Sequence, residues 1–310
     1  MFTRRDFLKW SSRSAGALGL SQLGLFQLNQ ALAAESSPPL IWLHGSSCSG
    51  CSIAALNAVT PTTFGDLILD RVLPDRTTKV SNLSVKYDGL LMAAGADLAI
   101  QTMDLAAQAN DGRFILIVEG GVPTAERGRY CIIGERNGEP ITLLDAVNQL
   151  GPRASRVLAV GTCAAYKGVA GAGDNITGVA SLSDVLAGKL AKPVINVPGC
   201  PAPPEQLFAI VVGLLAGGQY ALDLDGRPST CFPHTVHATC PRKHLAKATA
   251  FGQPGCLVNL GCRGKTTMAM CPKHKWNNGK NWCTAAGHPC IGCAMPEFPA
   301  SPLTPTGSYT

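Results

Sequence analysis

Eleven of the thirteen cysteines fall into two groups whose types and spacing suit soft-metal chemistry. In the first group, Cys48 and Cys51 follow the apolar run Leu40-Ile-Trp-Leu43, Cys163 follows Val157-Leu-Ala-Val160, and Cys200 follows Val194-Ile-Asn-Val197. An open parallel sheet binds ligands in the crevice outside the carboxyl ends of its strands, so these four thiols should line one site although they lie far apart in sequence. A set of four thiols alone is the donor set of an iron–sulfur cluster or of zinc.

The second group has two parts. His237-Ala-Thr-Cys240 goes with Cys256 and Cys262, and Cys271 goes with Cys283 and Cys290-Ile-Gly-Cys293. Each part can hold one cluster. A neutral imidazole in place of a thiolate removes a negative charge and raises the cluster's potential. In a C-x-x-C turn two sulfurs point to one centre, and backbone amides of the loop can hydrogen-bond them.

Between Gly226 and Pro296 there are nine Lys and Arg and no Asp or Glu, together with eight of the cysteines. These cations would offset the negative charge of thiolates around iron. The segment lacks the aromatic interleaving and the motifs of a nucleic-acid module.

The elements that must position the first group are read from alternating apolar runs and helix-like segments. Strands are expected at Leu40 to Leu43, Phe114 to Val118, Val157 to Val160 and Val194 to Val197, with helices from about Ser52 and from Pro204 to Leu215. This βαβ alternation means a parallel α/β sheet, and near-continuous apolar strands mean helices on both faces. After Gly226 the pattern dissolves into Pro, Gly, Cys and His, as expected of a domain held together by metal clusters.

Thr3-Arg-Arg-Asp-Phe-Leu-Lys9 is a twin-arginine signal, followed by a weakly apolar stretch and small residues at Ala31, Ala33 and Ala34 that supply a cleavage site. Residues 1–34 are therefore excluded from the fold, and the mature chain is expected in the periplasm. The signal supplies half of the net charge of +6. Composition is otherwise that of a compact protein, 46% hydrophobic and 15% charged, large enough for a core without disulfide staples. An odd number of cysteines also leaves one over in any all-disulfide scheme. No apolar stretch after 226 is long enough to cross a bilayer, so membrane attachment would come through a partner.

Cys48-Ser-Gly-Cys51, Gly161-Thr-Cys163, Pro198-Gly-Cys-Pro201, His237-x-x-Cys240 and the run Asn281-Trp-Cys-Thr-Ala-Ala-Gly-His-Pro-Cys-Ile-Gly-Cys293 resemble the small subunit of nickel–iron hydrogenases of the periplasmic uptake type. The resemblance covers nearly the whole mature chain. It implies a flavodoxin-like domain at 35–225 binding a proximal 4Fe-4S cluster, an irregular iron–sulfur domain at 226–297 binding medial and distal clusters, and a polar tail at 298–310. By resemblance, Cys48, Cys51, Cys163 and Cys200 hold the proximal cluster. His237, Cys240, Cys256 and Cys262 hold a distal 4Fe-4S cluster, with the histidine near the surface. Cys271, Cys290 and Cys293 hold the medial cluster, which is 3Fe-4S in many members because a proline stands where a fourth cysteine could bind. Here Cys283 stands there, and a 4Fe-4S medial cluster of lower potential is expected, the alternative being a 3Fe-4S cluster with the Cys283 sulfur pointing away.

Oxygen-tolerant members carry two further cysteines around the proximal cluster. This chain has Gly50 and Gly168 at those positions, so a standard proximal cluster and inactivation by oxygen are expected. Cys131 and Cys231 match no ligand position and read as small packed side chains. His44 and His288 read as hydrogen-bonded structural residues, and His234 lacks the spacing of His237. Trp276 and Trp282 are expected to keep the C-terminal clusters dry. Glu119-Gly-Gly121 ends a strand beside the proximal site, either shaping an interface or serving only as a loop.

The chain shows no second C-x-x-C pair of the kind that holds nickel and iron in the family's large subunit. No catalytic residue is therefore expected here: hydrogen is split in a large-subunit partner of a heterodimer, and this chain passes electrons through its three clusters to a cytochrome or other redox acceptor. The alternatives are an exported iron–sulfur subunit of another oxidoreductase, or a structural zinc or disulfide protein.

Overall fold

A computed structural model of the chain describes residues 39–59, 63–65, 83–215, 217–276 and 279–299. The expected export signal and the tail beyond 299 lie outside the described residues.

Nine strands are present among the described residues: β1 Pro39–His44, β2 Ser84–Asp88, β3 Ile115–Glu119, β4 Val122–Pro123, β5 Ile132–Arg136, β6 Glu139–Thr142, β7 Arg156–Val160, β8 Val179–Ala180 and β9 Ile195–Val197. Five form a parallel sheet in the order β2-β1-β3-β7-β9. Counting only these five, the order is the flavodoxin-like 2-1-3-4-5, whose ligand crevice opens where the order reverses, beside the ends of β1 and β3. The remaining strands form two small antiparallel pairs, β4 with β8 and β5 with β6.

The helices are α1 Gly50–Leu56, α2 Ala96–Ala109, α3 Leu143–Leu150, α4 Thr162–Tyr166, α5 Leu182–Val185, α6 Pro204–Leu215, α7 Val236–Thr239 and α8 Cys271–His274. Successive strand residues point to opposite faces, and both faces are covered. Leu40, Trp42, Ile117, Leu158 and Val160 pack with Ala55 of α1 and Leu207, Phe208 and Val211 of α6. Ile41, Leu43, Leu116, Val118 and Ala159 pack with Ile100 and Met103 of α2 and Val147 and Leu150 of α3. The start of α3 is fixed by a capping box: the Asp145 amide donates to the Thr142 hydroxyl at 3.1 Å, and the Thr142 amide donates back to the Asp145 carboxylate at 3.3 Å.

Beyond Gly226 the regular elements shrink to α7, α8 and a 3-10 turn at Leu257–Leu260. The apolar clusters there are small, and cysteine belongs to them: Val236, Cys240, Ala269, Trp282, Cys290 and Ala294 form one, and Ala248, Leu257 and Leu260 form another. Among the described residues, no helix is long and apolar enough to cross a membrane.

Candidate metal centres

Cys48 and Cys51 lie on the turn from β1 into α1, Cys163 on α4 directly after β7, and Cys200 in the loop after β9. The strand ends thus bring together the four thiols singled out in the sequence: Cys51 has Cys163 and Cys200 as electrostatic neighbours, and Cys200 has Cys163 and Cys48. Cys51 is buried, whereas Cys48 and Cys200 are exposed, so this site opens outward. Gly161 separates β7 from α4 with φ 85°, and a Cβ there would lie 2.6 Å from Cys51 Sγ. Only glycine meets both conditions.

Glu119, at the end of β3 and 1% exposed, aims its carboxylate at the start of α1. Oε1 accepts the Cys51 amide at 3.0 Å, and Oε2 accepts the Ser52 amide at 3.0 Å and the Ser52 hydroxyl. A buried carboxylate is tolerated when donors surround it, and at a helix N-terminus it also meets the positive end of the dipole. His44 lies beside it, with Nδ1 3.6 Å from Glu119 Oε2 and Nε2 3.1 Å from Asp88 Oδ1. Glu119 is therefore more than a loop residue. The signal for this was a charged side chain ending a strand that is otherwise wholly apolar.

Burial, followed by the Glu119 carboxylate, pushes the Cys51 thiol above its ordinary range, while the Ala202 amide, 3.3 Å from Sγ, works against them. Burial also pushes Cys200 up. Neutral thiols are thus favoured in the iron-free site, and metal binding must displace their protons.

The second set gathers at the junction of the two parts of the chain. Cys271 has Cys290 and Cys283 as neighbours, and Cys293 has Cys271, Cys290 and Cys283. Cys283 is thus an electrostatic neighbour of Cys271, Cys290 and Cys293, and also of Cys262 in the third set. Burial pushes Cys271 up to about 12 and Cys290 up to about 11. Trp276 and Cys271 pack against one apolar cluster, in which Trp282 is buried with Cys240 and Cys290. Cys293 ties this set to the first: its carbonyl accepts a hydrogen bond from the hydroxyl of Thr162, the residue before Cys163.

The third set surrounds α7. Thr235 caps that helix by accepting the Ala238 amide at 3.2 Å, which presents half-buried His237 within the turn and buried Cys240 just after it. The His237 amide donates to the Gly264 carbonyl at 2.7 Å, and a Cβ on Gly264 would lie 3.4 Å from Cys262 Sγ, so this glycine joins the His237 backbone to the Cys262 loop. Cys240 and Cys262 share an apolar cluster, and buried Cys256 starts the 3-10 turn whose leucines also pack on Cys262. Cys262 Sγ accepts the Cys290 amide at 3.3 Å, which joins this set to the second.

The remaining candidates stay outside these sets. Cys131 and Cys231 are half-buried, with thiols pushed up by burial. His288 Nδ1 lies 2.7 Å from the Pro289 carbonyl, and His234 is exposed.

All thirteen cysteines are free. Among the described residues, no three His, Cys, Asp or Glu side chains are close enough to share one metal ion. Thiols joined by a single imidazole are a donor set that suits iron–sulfur clusters. Amide donors aimed at sulfur are the surroundings such a cluster requires.

Residues 232–304 match the family model for the C-terminal region of NiFe/NiFeSe hydrogenase small subunits, and residues 48–214 match that of the NADH ubiquinone oxidoreductase 20 Kd subunit. The chain is 36% identical to the periplasmic NiFeSe hydrogenase small subunit of Desulfomicrobium baculatum over 96% of both proteins. It is also 36% identical to the periplasmic NiFe hydrogenase small subunit 1 of Nitratidesulfovibrio vulgaris, over 96% of this chain and 90% of the relative. The fold matches that of recombinant NiFeSe hydrogenase from Desulfovibrio vulgaris Hildenborough with a TM-score of 0.75 and 38% identity, covering 88% of this chain and 99% of that one. The chain belongs to the family of nickel–iron hydrogenase small subunits.

Proposed function

We propose that this chain is the electron wire of a periplasmic hydrogenase, holding three 4Fe-4S clusters in line. Cys48, Cys51, Cys163 and Cys200 hold the proximal cluster, Cys271, Cys283, Cys290 and Cys293 the medial, and His237, Cys240, Cys256 and Cys262 the distal. The clusters supply one-electron redox chemistry when bound. The chain's own groups set the spacing of the sulfurs, donate hydrogen bonds to them and keep water away.

The observation that carries this reading is continuity. Thr162, beside Cys163, bonds the Cys293 carbonyl, and the Cys290 amide bonds Cys262 Sγ, so hydrogen bonds run from the first set to the second and from the second to the third. The exposed thiols Cys48 and Cys200 mark the end that faces the nickel–iron centre of a large-subunit partner. Export by the twin-arginine signal is supported by Arg4 and Arg5 and by relatives named as periplasmic.

The test is low-temperature electron paramagnetic resonance of the purified heterodimer under hydrogen. Iron–sulfur signals that appear on hydrogen reduction and vanish on mild oxidation are expected. Hydrogenase activity without any such signal would refute the reading.

A further inference from the structure

On the reading above, the third site is the end of the line away from the large-subunit partner. Residues 241–255 connect Cys240 to Cys256, so this segment borders the third site. It contributes Arg242, Lys243, His244 and Lys247 and no acidic residue. Lys243, Lys247 and Lys265 are exposed, and neither Lys247 nor Lys265 is ion-paired among the described residues. The Lys243 ammonium donates to the Ala238 carbonyl at 2.8 Å, which holds its charge at the end of α7. Two large apolar side chains stand out among these cations, Leu245 at 51% exposed and Phe251 at 41%.

The segment is pinned in place. The Ala248 amide donates to the Cys256 carbonyl at 2.9 Å, the Cys256 amide to the Ala246 carbonyl at 2.8 Å, and the Thr249 amide to Gln253 Oε1 at 2.9 Å. Exposed apolar side chains interspersed with exposed cations on a backbone fixed by hydrogen bonds suit a transient protein interface. The charges of this segment have one sign, which attracts an acidic partner and repels a basic one.

We propose that this face docks an acidic redox protein as electron acceptor, an inference that rests on the reading of His237, Cys240, Cys256 and Cys262 as the outermost cluster site. An anionic membrane is the other partner that a basic patch can attract. Interfacial membrane binding normally uses a long amphipathic helix, and α7, like α8, has only four residues.

The test uses the intact heterodimer, reduced by hydrogen, in stopped-flow mixing with two forms of one haem protein: basic cytochrome c, and the same cytochrome made acidic by succinylating its lysines. At an ionic strength of about 0.01 M the acidic form is expected to be reduced roughly 10-fold faster or more, and the advantage should vanish near about 0.5 M. The K247E/K265E variant should lose most of that advantage while hydrogen–deuterium exchange at the large subunit stays unchanged. A faster basic form, salt-independent rates or an unaffected variant would overturn the proposal. So would capture of the heterodimer by phosphatidylglycerol vesicles without discrimination between the two cytochromes, which would assign the patch to lipid. A wild-type heterodimer with no hydrogen-reducible iron–sulfur signal would bring down the underlying cluster reading instead.

Discussion

The Thr162 hydroxyl donates to the carbonyl of Cys293 across 131 residues of sequence, and its oxygen also accepts the Gly199 amide at 2.9 Å. One buried side chain thus joins the turns bearing Cys163 and Cys200 to the loop bearing Cys293. Thr162→Val keeps the shape, removes both bonds and leaves an amide and a carbonyl unpaired, a cost of about 1–3 kcal/mol. Anaerobic unfolding of the heterodimer should show that loss, and Thr162→Ser should restore most of it. A valine variant as stable as the parent would contradict this.

Cys283 is an electrostatic neighbour of the three other thiols of the second set. Cys283→Pro is expected to remove about one iron per chain, produce the resonance of an oxidised three-iron cluster and raise the medial potential. Spectroscopy and iron analysis of the variant check this. An unchanged iron content would mean that the Cys283 sulfur is idle.

Glu119 places a buried negative charge against the Cys51 and Ser52 amides. Glu119→Gln retains an acceptor and removes the charge, so the reduced state of the proximal cluster, which is the more negative one, becomes easier to reach. The proximal potential should rise in a spectroscopic redox titration, with the distal potential unmoved. A fall would refute the electrostatic role.

The sheet was legible wherever strands are buried on both faces. The runs around Ile41, Leu116 and Leu158 are apolar without interruption, that around Ile195 is broken only by Asn196, and all four became parallel strands. β2 was missed because it is an edge strand, Ser-Val-Lys-Tyr-Asp, with a polar residue at every second position. α2 and α3 also went unread, although Thr142 and Asp145 spell a capping box in the sequence. The four-thiol grouping could be read because cysteine chemistry is specific. The work of Glu119 could not, because a carboxylate beside a site announces no partner until the fold supplies one.

Gly168 stands where oxygen-tolerant relatives of the family place a cysteine. Its φ is 51°, and a Cβ would lie 2.8 Å from the Cys163 nitrogen and 3.0 Å from Cys163 Sγ. Gly168→Ala should therefore destabilise the chain by more than about 1 kcal/mol. Wild-type enzyme should lose hydrogen oxidation in air, as expected of a proximal site with four thiols only. Sustained activity under air, followed with an oxygen-insensitive dye, would refute this.

Residues 226–299 contain only short helical turns and small apolar clusters. Removing iron with a chelator should abolish amide-exchange protection there while the sheet residues from 115 to 197 keep theirs. Because folded Cys271 and Cys290 hold their protons up to about 12 and about 11, protons compete with iron and mild acid should hasten its release. Uniform protection after iron removal would mean that the C-terminal part needs no clusters.

The most direct measurement of the central claim is iron and acid-labile sulfide per chain in anaerobically purified heterodimer, after subtracting the iron of the nickel centre. Three four-iron clusters require about 12 of each. Iron near zero with zinc in its place would contradict the account.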